Sequence, residues 1–283
     1  MNIIAIYDYS EGVTVIVDQP SNRYPDEQRT IMTVVTAIAS QKGGVAKSTS
    51  SINLSAGLAR KGKKVLLIDV DPQSNSSRVF LKDYLNLKRD ETLYDTIINN
   101  KSLHVYQTPV EGLDIVPSHI LLSNADIDLQ NAFRREERLK IHLAEIKNEY
   151  DFIFLDCPPS LNWLTYNALV AADKIIVPVS PGFFELESIN QINRTIYEIQ
   201  NQINHDLKIA GYLFTIGENS TGSKVSLKVL RQTFPEYTLT NIIPKNVDAR
   251  DASAAKMDIF GYNPKAIAAE AYMRVIKEVF NVE

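Results

Sequence analysis

Apolar and polar positions divide the chain into two unequal parts. Near its start, Ile3-Ile4-Ala5-Ile6 and Val13-Thr14-Val15-Ile16-Val17 are β-rich runs flanking Tyr7-Asp8-Tyr9-Ser10-Glu11-Gly12, which predicts a hairpin. The stretch from Gln19 to Glu27 carries Pro20 and Pro25 and predicts a linker. From Thr33 the pattern changes. Strand-like apolar runs occur at Val34–Ala39, Val65–Ile68, Leu113–Val116, Phe152–Leu155, Ile175–Val179, Ile209–Phe214 and Leu239–Ile243. Helical spacing fills many of the gaps: Ile52, Ala56 and Ala59 share one face, Leu139, Leu143 and Ile146 a second, and Leu227, Leu230 and Phe234 a third. Strands alternating with helices predict an α/β fold, a mostly parallel twisted sheet with helices on both faces. Residues 1–32 read as an N-terminal extension and 33–283 as one domain. Binding residues are then expected just past the carboxyl ends of strands.

Composition narrows the chemistry. The 283 residues are 45% apolar and 23% charged, a balance that builds a large core without staples. Cys157 is the single cysteine, so no intramolecular disulfide forms and a reducing, cytoplasmic setting is expected. The four histidines lie far apart in sequence, which gives no soft-metal spacing. No apolar run reaches the ~18 residues that span a bilayer, and the first residues lack the pattern of a signal peptide. The net charge of −4 means that any nucleic-acid binding must use a local patch.

The strongest chemical signal is Gln41-Lys42-Gly43-Gly44-Val45-Ala46-Lys47-Ser48-Thr49, placed between a strand and a predicted helix. That context suits a phosphate-binding loop. Gly43 and Gly44 allow close backbone approach, and the helix N-terminus offers free N–H groups. Lys47 would neutralise β- and γ-phosphate charge, and Ser48 would ligate Mg²⁺. The strict pattern G-x-x-x-x-G-K-[ST] fails, since Gln41 and Ala46 occupy its glycine positions. Two further strands end in carboxylates: Val65–Ile68 in Asp69-Val70-Asp71-Pro72-Gln73, and Phe152–Leu155 in Asp156-Cys157-Pro158-Pro159-Ser160. Either alone could cap a turn. Together with the loop they suit a hydrated Mg²⁺ bound to nucleotide.

These segments resemble the ParA/MinD family of deviant Walker A ATPases, and ParA-type partition ATPases in particular. Lys42–Thr49 is similar to the family's K-G-G-V-G-K-T-T, and Asp69–Asn75 to its D-x-D-P-Q-G-N. Asp151–Ser160 with the following Asn167–Asp173 resembles its second carboxylate strand and helix, and Ile243-Pro244-Lys245-Asn246-Val247 its I-P-R-N-V. The resemblance covers about Thr33 to Val279. It implies a P-loop fold, ATP and Mg²⁺ as cofactors, and an ATP-driven homodimer. By position, Lys42 would reach the partner subunit's phosphates and Asp71 would position the attacking water. Asp156, with Asp69 as a second candidate, would hold Mg²⁺ alongside Ser48, and Pro244 and Asn246 would lie against adenine. Ala46 departs from the family's glycine, and Glu218-Asn219-Ser220-Thr221 lacks the arginine of its D-x-R-T. Asp248 stands where many relatives carry a basic residue, and residues 1–32 have no counterpart in the short relatives.

The resemblance also implies what the ATP state engages: non-specific DNA on the nucleoid, with a ParB-like adaptor triggering hydrolysis and release. The region from Lys224 to Lys256 holds Lys224, Lys228, Arg231, Lys245, Arg250 and Lys256 against Glu236, Asp248 and Asp251. Lys224, Lys228 and Arg231 recur at helical spacing and can form one stripe, which equally suits a merely solvated face. The final predicted helix, from Pro264 to Phe280, carries Ile267, Ala271, Val275 and Val279 at core spacing, and no membrane partner is expected. Three alternatives stay open. A ParA-like ATPase could position a protein cargo such as a carboxysome or chemotaxis cluster. The chain could be a metabolic or cofactor enzyme of the same superfamily, although one cysteine cannot supply a nitrogenase-reductase-like cluster. Ala46 also leaves room for a binding module with a silent loop.

Overall fold

The computed structural model describes residues 2–8, 13–19, 33–182 and 185–282. The chain runs β1 (Asn2–Asp8), β2 (Val13–Gln19), β3 (Val34–Ile38), α1 (Lys47–Arg60), β4 (Val65–Asp69), α2 (Asn75–Phe80), α3 (Leu93–Asn99), β5 (Tyr106–Gln107) and β6 (Leu113–Val116). It continues through α4 (Ala125–Asp128), α5 (Arg138–Ile146), β7 (Phe152–Asp156), α6 (Trp163–Ala171), β8 (Lys174–Val179), α7 (Glu185–Gln202), β9 (Lys208–Phe214), α8 (Thr221–Thr233), α9 (Val247–Ala254), α10 (Ile259–Tyr262) and α11 (Ile267–Phe280). β1 and β2 pair antiparallel, with Asn2 opposite Gln19 and Asp8 opposite Val13. Of the Tyr7–Gly12 stretch expected between the strands, Tyr7 and Asp8 belong to β1, and Gln19 of the expected Gln19–Glu27 linker ends β2; 9–12 and 20–27 lie outside the described residues.

Among the described residues, seven strands form the main sheet in the order β5-β6-β4-β7-β3-β8-β9. Only β5 is antiparallel to its neighbour. The parallel strands read as continuous apolar runs because both of their faces are covered. Their side chains alternate between two cores, as the strand period of two requires. Leu66, Ile68, Ile153, Leu155, Tyr212 and Phe214 enter one core with Leu143, Leu164 and Ile192. Leu67, Phe154 and Leu213 enter the other with Leu54 and Leu58 of α1 and Tyr272, Val275 and Ile276 of α11. The last helix is therefore a core helix, with Ile267 exposed at its first turn. No described helix is long and apolar enough to cross a membrane.

One predicted strand is not there. Residues 239–243 extend beside β9, where Leu239 N donates to Tyr212 O and Ile243 N to Phe214 O, but only isolated bridges flank the segment. Leu239 and Ile243 are buried along an irregular path that delivers Pro244 and Asn246 to the wall of a cavity.

Candidate functional site

The order β4-β7-β3 sets three strand ends side by side, with β7 between the other two and the loop after β3 rising beside it. Gly44 takes φ +75°, which favours glycine. Ala46 also sits in the left-handed region, at φ 60° and ψ 35°, as the N-cap of α1; its carbonyl accepts from Ser50 N at 2.9 Å. Thr215 Oγ1, just past β9, donates to Val45 O at 3.0 Å and ties the loop to the sheet edge. Lys47 is 7% exposed and its Nζ donates to Lys42 O at 2.8 Å. Burial lowers the Lys47 pKa, against the attraction of Asp156 and Asp71.

β4 and β7 are in register with Asp69 opposite Asp156, both fully buried. Asp156 Oδ1 accepts from Ser51 Oγ at 3.0 Å and Oδ2 from Ser76 Oγ at 2.6 Å; the Ser48 hydroxyl bonds to it as well. Burial pushes its pKa up to about 6, against those three serine hydroxyls. Asp69 Oδ2 accepts from Ser77 N at 2.8 Å and Ser77 Oγ at 2.6 Å, and Oδ1 from Asp71 N at 3.3 Å. Burial first, and the neighbouring Asp156 second, raise its pKa strongly. Of the two metal candidates, then, Asp156 is the one joined to Ser48, while the oxygens of Asp69 anchor the 69–77 turn. Asp71 Oδ1 accepts from Gln73 N at 2.9 Å. Burial raises the Asp71 pKa, with Lys47 pulling it back.

Two cavities adjoin this cluster. One, of about 520 Å³, is walled by Gly43, Gly44, Ala46, Lys47, Ser48 and Thr49 of the loop and by Asp71. The other, of about 400 Å³, is walled by Ile216, Ile243, Pro244, Asn246 and Tyr272 among others. They share Ala46, Thr49 and Ser253, so they form two ends of one cleft. The first end sets Lys47, Asp71 and Arg78 among the loop residues, and the second sets Lys245, Asn246 and Arg250 beside the apolar Ile216, Ile243, Pro244, Val247 and Tyr272. Asn246 Oδ1 accepts from Ala249 N at 3.1 Å as the N-cap of α9, which leaves its amide hydrogens as donors. Among the described residues, no group of three or more His, Cys, Asp or Glu gathers into a metal site.

A family model described as an AAA domain matches residues 33–209. The chromosome-partitioning ATPase Soj of Treponema pallidum is 38% identical over 244 residues, covering 84% of this chain and 94% of that protein. The chain belongs to the ParA/MinD family of ATPases. Solved structures agree. A plasmid partition protein from Borrelia burgdorferi superposes with a TM-score of 0.69 at 26% identity, covering 86% of this ParA-type chain and 97% of the other. Cobyrinic acid a,c-diamide synthase from Mycobacterium smegmatis, with bound ATP analogue and magnesium, gives 0.71 at 30% identity over 87% and 93%.

In this ParA-family chain the six basic candidates do not form one patch. Lys224, Lys228 and Arg231 lie exposed on α8, where Arg231 Nη2 donates to Thr240 O at 3.3 Å. Lys245 and Arg250 wall the apolar cavity and are paired, Lys245 with Glu218 at 2.6 Å and Arg250 with Asp251 at 3.0 Å. Lys256 walls the other cavity, beside the 43–49 loop.

Sequence reasoning missed the serines. Ser51, Ser76 and Ser77 supply hydroxyls to the buried carboxylates, and the only trace was the cluster Ser74-Asn75-Ser76-Ser77 after Asp71. It also missed a set of left-handed residues around the cleft: Ser74 (φ 57°), Ile216 (φ 54°) and Lys256 (φ 56°) join Ala46. Ala46 and Ser74 fall where the family's sequence patterns have glycine, which explains that preference physically.

Proposed function

We propose that this chain is a partition ATPase that binds Mg·ATP in the cleft, dimerises in that state, holds DNA without regard to sequence, and lets go on hydrolysis. The observation that carries the reading is that Lys47, Ser48 and Asp71 wall one cavity of about 520 Å³ at the ends of adjacent strands, with the buried Asp156 hydrogen-bonded to Ser48 behind that wall. The partition function of the Soj relative, and the ATP analogue and magnesium in the cobyrinic acid a,c-diamide synthase, support it.

The donor set fits magnesium, because Ser48 and Asp156 are oxygen ligands already joined by a hydrogen bond. They would hold the ion, whose contribution is to neutralise phosphate charge. Lys47 leaves Lys42 O to contact the phosphates. Backbone N–H groups of 43–49 and the α1 N-terminus hold the same anion. Asp71, on the cavity wall, positions the attacking water. Lys42 is not among the residues walling its own cavity, which favours a role across the dimer. Pro244 and Asn246 take the adenine end.

The α8 stripe of Lys224, Lys228 and Arg231 is the DNA-facing surface in this reading. Lys245 and Arg250 are half-neutralised and contribute less. Dimerisation duplicates the stripe, and counterion release makes binding salt-sensitive. A ParB-like adaptor accelerates an otherwise weak hydrolysis, and the protein works in the cytoplasm on the nucleoid.

The test is sedimentation with and without non-hydrolysable ATP, first alone, then with plasmid DNA, then with liposomes. The expected result is an ATP-dependent dimer that pellets with DNA at low salt and ignores liposomes. A protein that stays monomeric with ATP, or an ATP-loaded dimer that ignores DNA at low salt, contradicts the reading.

A further inference from the structure

The phosphate-side cavity carries more positive charge than its loop supplies. Besides Lys47, its wall includes Arg78 from the last turn of α2 and Lys256, two residues past α9; among the described lining residues Asp71 is the only carboxylate. Both cations are exposed, and among the described residues no ion pair engages either of them. The Arg78 guanidinium lies 5.5 Å from the centre of the Tyr84 ring, a contact that restrains it without neutralising it. Lys256 holds a left-handed backbone, φ 56°, a conformation that favours glycine. That conformation closes α9 in the usual way, with Lys256 N donating to Ser253 O at 3.1 Å and Met257 N to Ala252 O at 3.0 Å, and it fixes the backbone of this long cation at the cavity wall. Neither residue belongs to the loop and helix N-terminus that define the phosphate-binding motif.

We propose that Arg78 and Lys256 are polyphosphate-binding residues, reaching the nucleotide from the α2 side and the α9 side of the cavity. The inference rests on the nucleotide reading of the cleft and adds to it two cations from this chain itself. A concave wall with net positive charge concentrates a multiply charged anion. Since both groups are solvent-exposed, each contributes modestly and is screened by salt. The gain falls on ligands with several phosphates; a monophosphate held at the loop gains little. Lys256 thereby belongs to the nucleotide cleft rather than to the α8 stripe.

The experiment is a fluorescence titration of labelled ATP and labelled AMP, with Mg²⁺, into wild type, Arg78→Ala, Arg78→Lys, Lys256→Ala, Lys256→Gly and Lys47→Ala. Arg78→Ala and Lys256→Ala are each expected to weaken ATP roughly fivefold and leave AMP within twofold. Lys256→Gly, which relaxes the backbone, should match Lys256→Ala, and Arg78→Lys should retain most of the ATP affinity. Unchanged ATP affinity in either alanine variant overturns the assignment of that residue. Equal losses for ATP and AMP overturn the polyphosphate role. Wild type that binds ATP while Lys47→Ala does not keeps the nucleotide reading standing whatever these variants do; wild type that takes up no ATP ends both.

Discussion

Asp156→Asn separates what the buried carboxylate does for function from what it does to stability. Burial moves the Asp156 carboxyl from 3.8 to about 6, equivalent to about 3 kcal/mol. The sign follows from linkage. The folded state binds this proton more tightly than the unfolded state, so the Asp156 contribution is most favourable below pH 3.8, declines as pH rises, and reaches its full deficit above about 6. Asparagine removes the charge and the deficit, though weaker hydrogen bonds to Ser48, Ser51 and Ser76 return about 1–2 kcal/mol of it. The nucleotide-free variant should therefore exceed wild type by about 1–2 kcal/mol at pH 7.5. Linkage makes the gap grow between pH 5 and pH 7.5. Urea unfolding followed by the fluorescence of Trp163, the single tryptophan, measures it. A gap that is flat with pH, or that shrinks as pH rises, refutes the argument that burial outweighs the hydrogen bonds that favour the Asp156 charge. The same variant should lose Mg²⁺-dependent nucleotide binding.

Three other outcomes follow from the geometry. Ala46→Gly relieves a left-handed alanine at a cost in unfolded-state entropy, so the urea midpoint should rise by about 0.5 kcal/mol equivalent; a fall of about 1 kcal/mol, usual for Ala→Gly in a helix, contradicts the strain. Gly211→Ala would place a Cβ 2.4 Å from Leu239 Cδ2 and 3.1 Å from Tyr237 O, and should lower stability by about 1–3 kcal/mol in thermal unfolding; an unchanged Tm shows that the 237–239 segment yields freely. Asp71→Ala should trap an ATP-bound dimer, and Lys42→Ala should give a monomer with little hydrolysis, both read by sedimentation and phosphate release; wild-type turnover by Lys42→Ala removes the cross-dimer role.

The parts of this protein set by local pattern are legible in its amino-acid sequence. Val34–Ile38, Val65–Asp69 and Phe152–Asp156 announce themselves as buried strands because parallel strands covered on both faces leave few polar positions. Asp69, Asp71 and Asp156 stand out because a carboxylate at the end of such a run breaks the pattern. What depends on tertiary partners is not legible there. A serine in a helix looks the same whether it faces water or, like Ser51, bonds to Asp156. Residues 239–243 have the apolar composition of a strand, yet their path beside β9 is irregular. β5, two residues long, is below any periodic signal. The basic residues from Lys224 to Lys256 are close in sequence but divide between α8 and the two cavities, because the chain turns back toward the cleft at Pro244. The left-handed Ala46, Ile216 and Lys256 carry no turn signal, since none is a glycine, asparagine, aspartate or serine.

The central claim is that Lys47, Ser48, Asp71 and Asp156 form one site for Mg·ATP. Steady-state phosphate release, measured with and without Mg²⁺ for wild type and Lys47→Ala, tests it most directly. The account predicts slow turnover by wild type that requires Mg²⁺ and vanishes in Lys47→Ala while the variant stays folded. Wild type with no turnover in Mg²⁺, or a folded Lys47→Ala protein that turns ATP over at the wild-type rate, would contradict it.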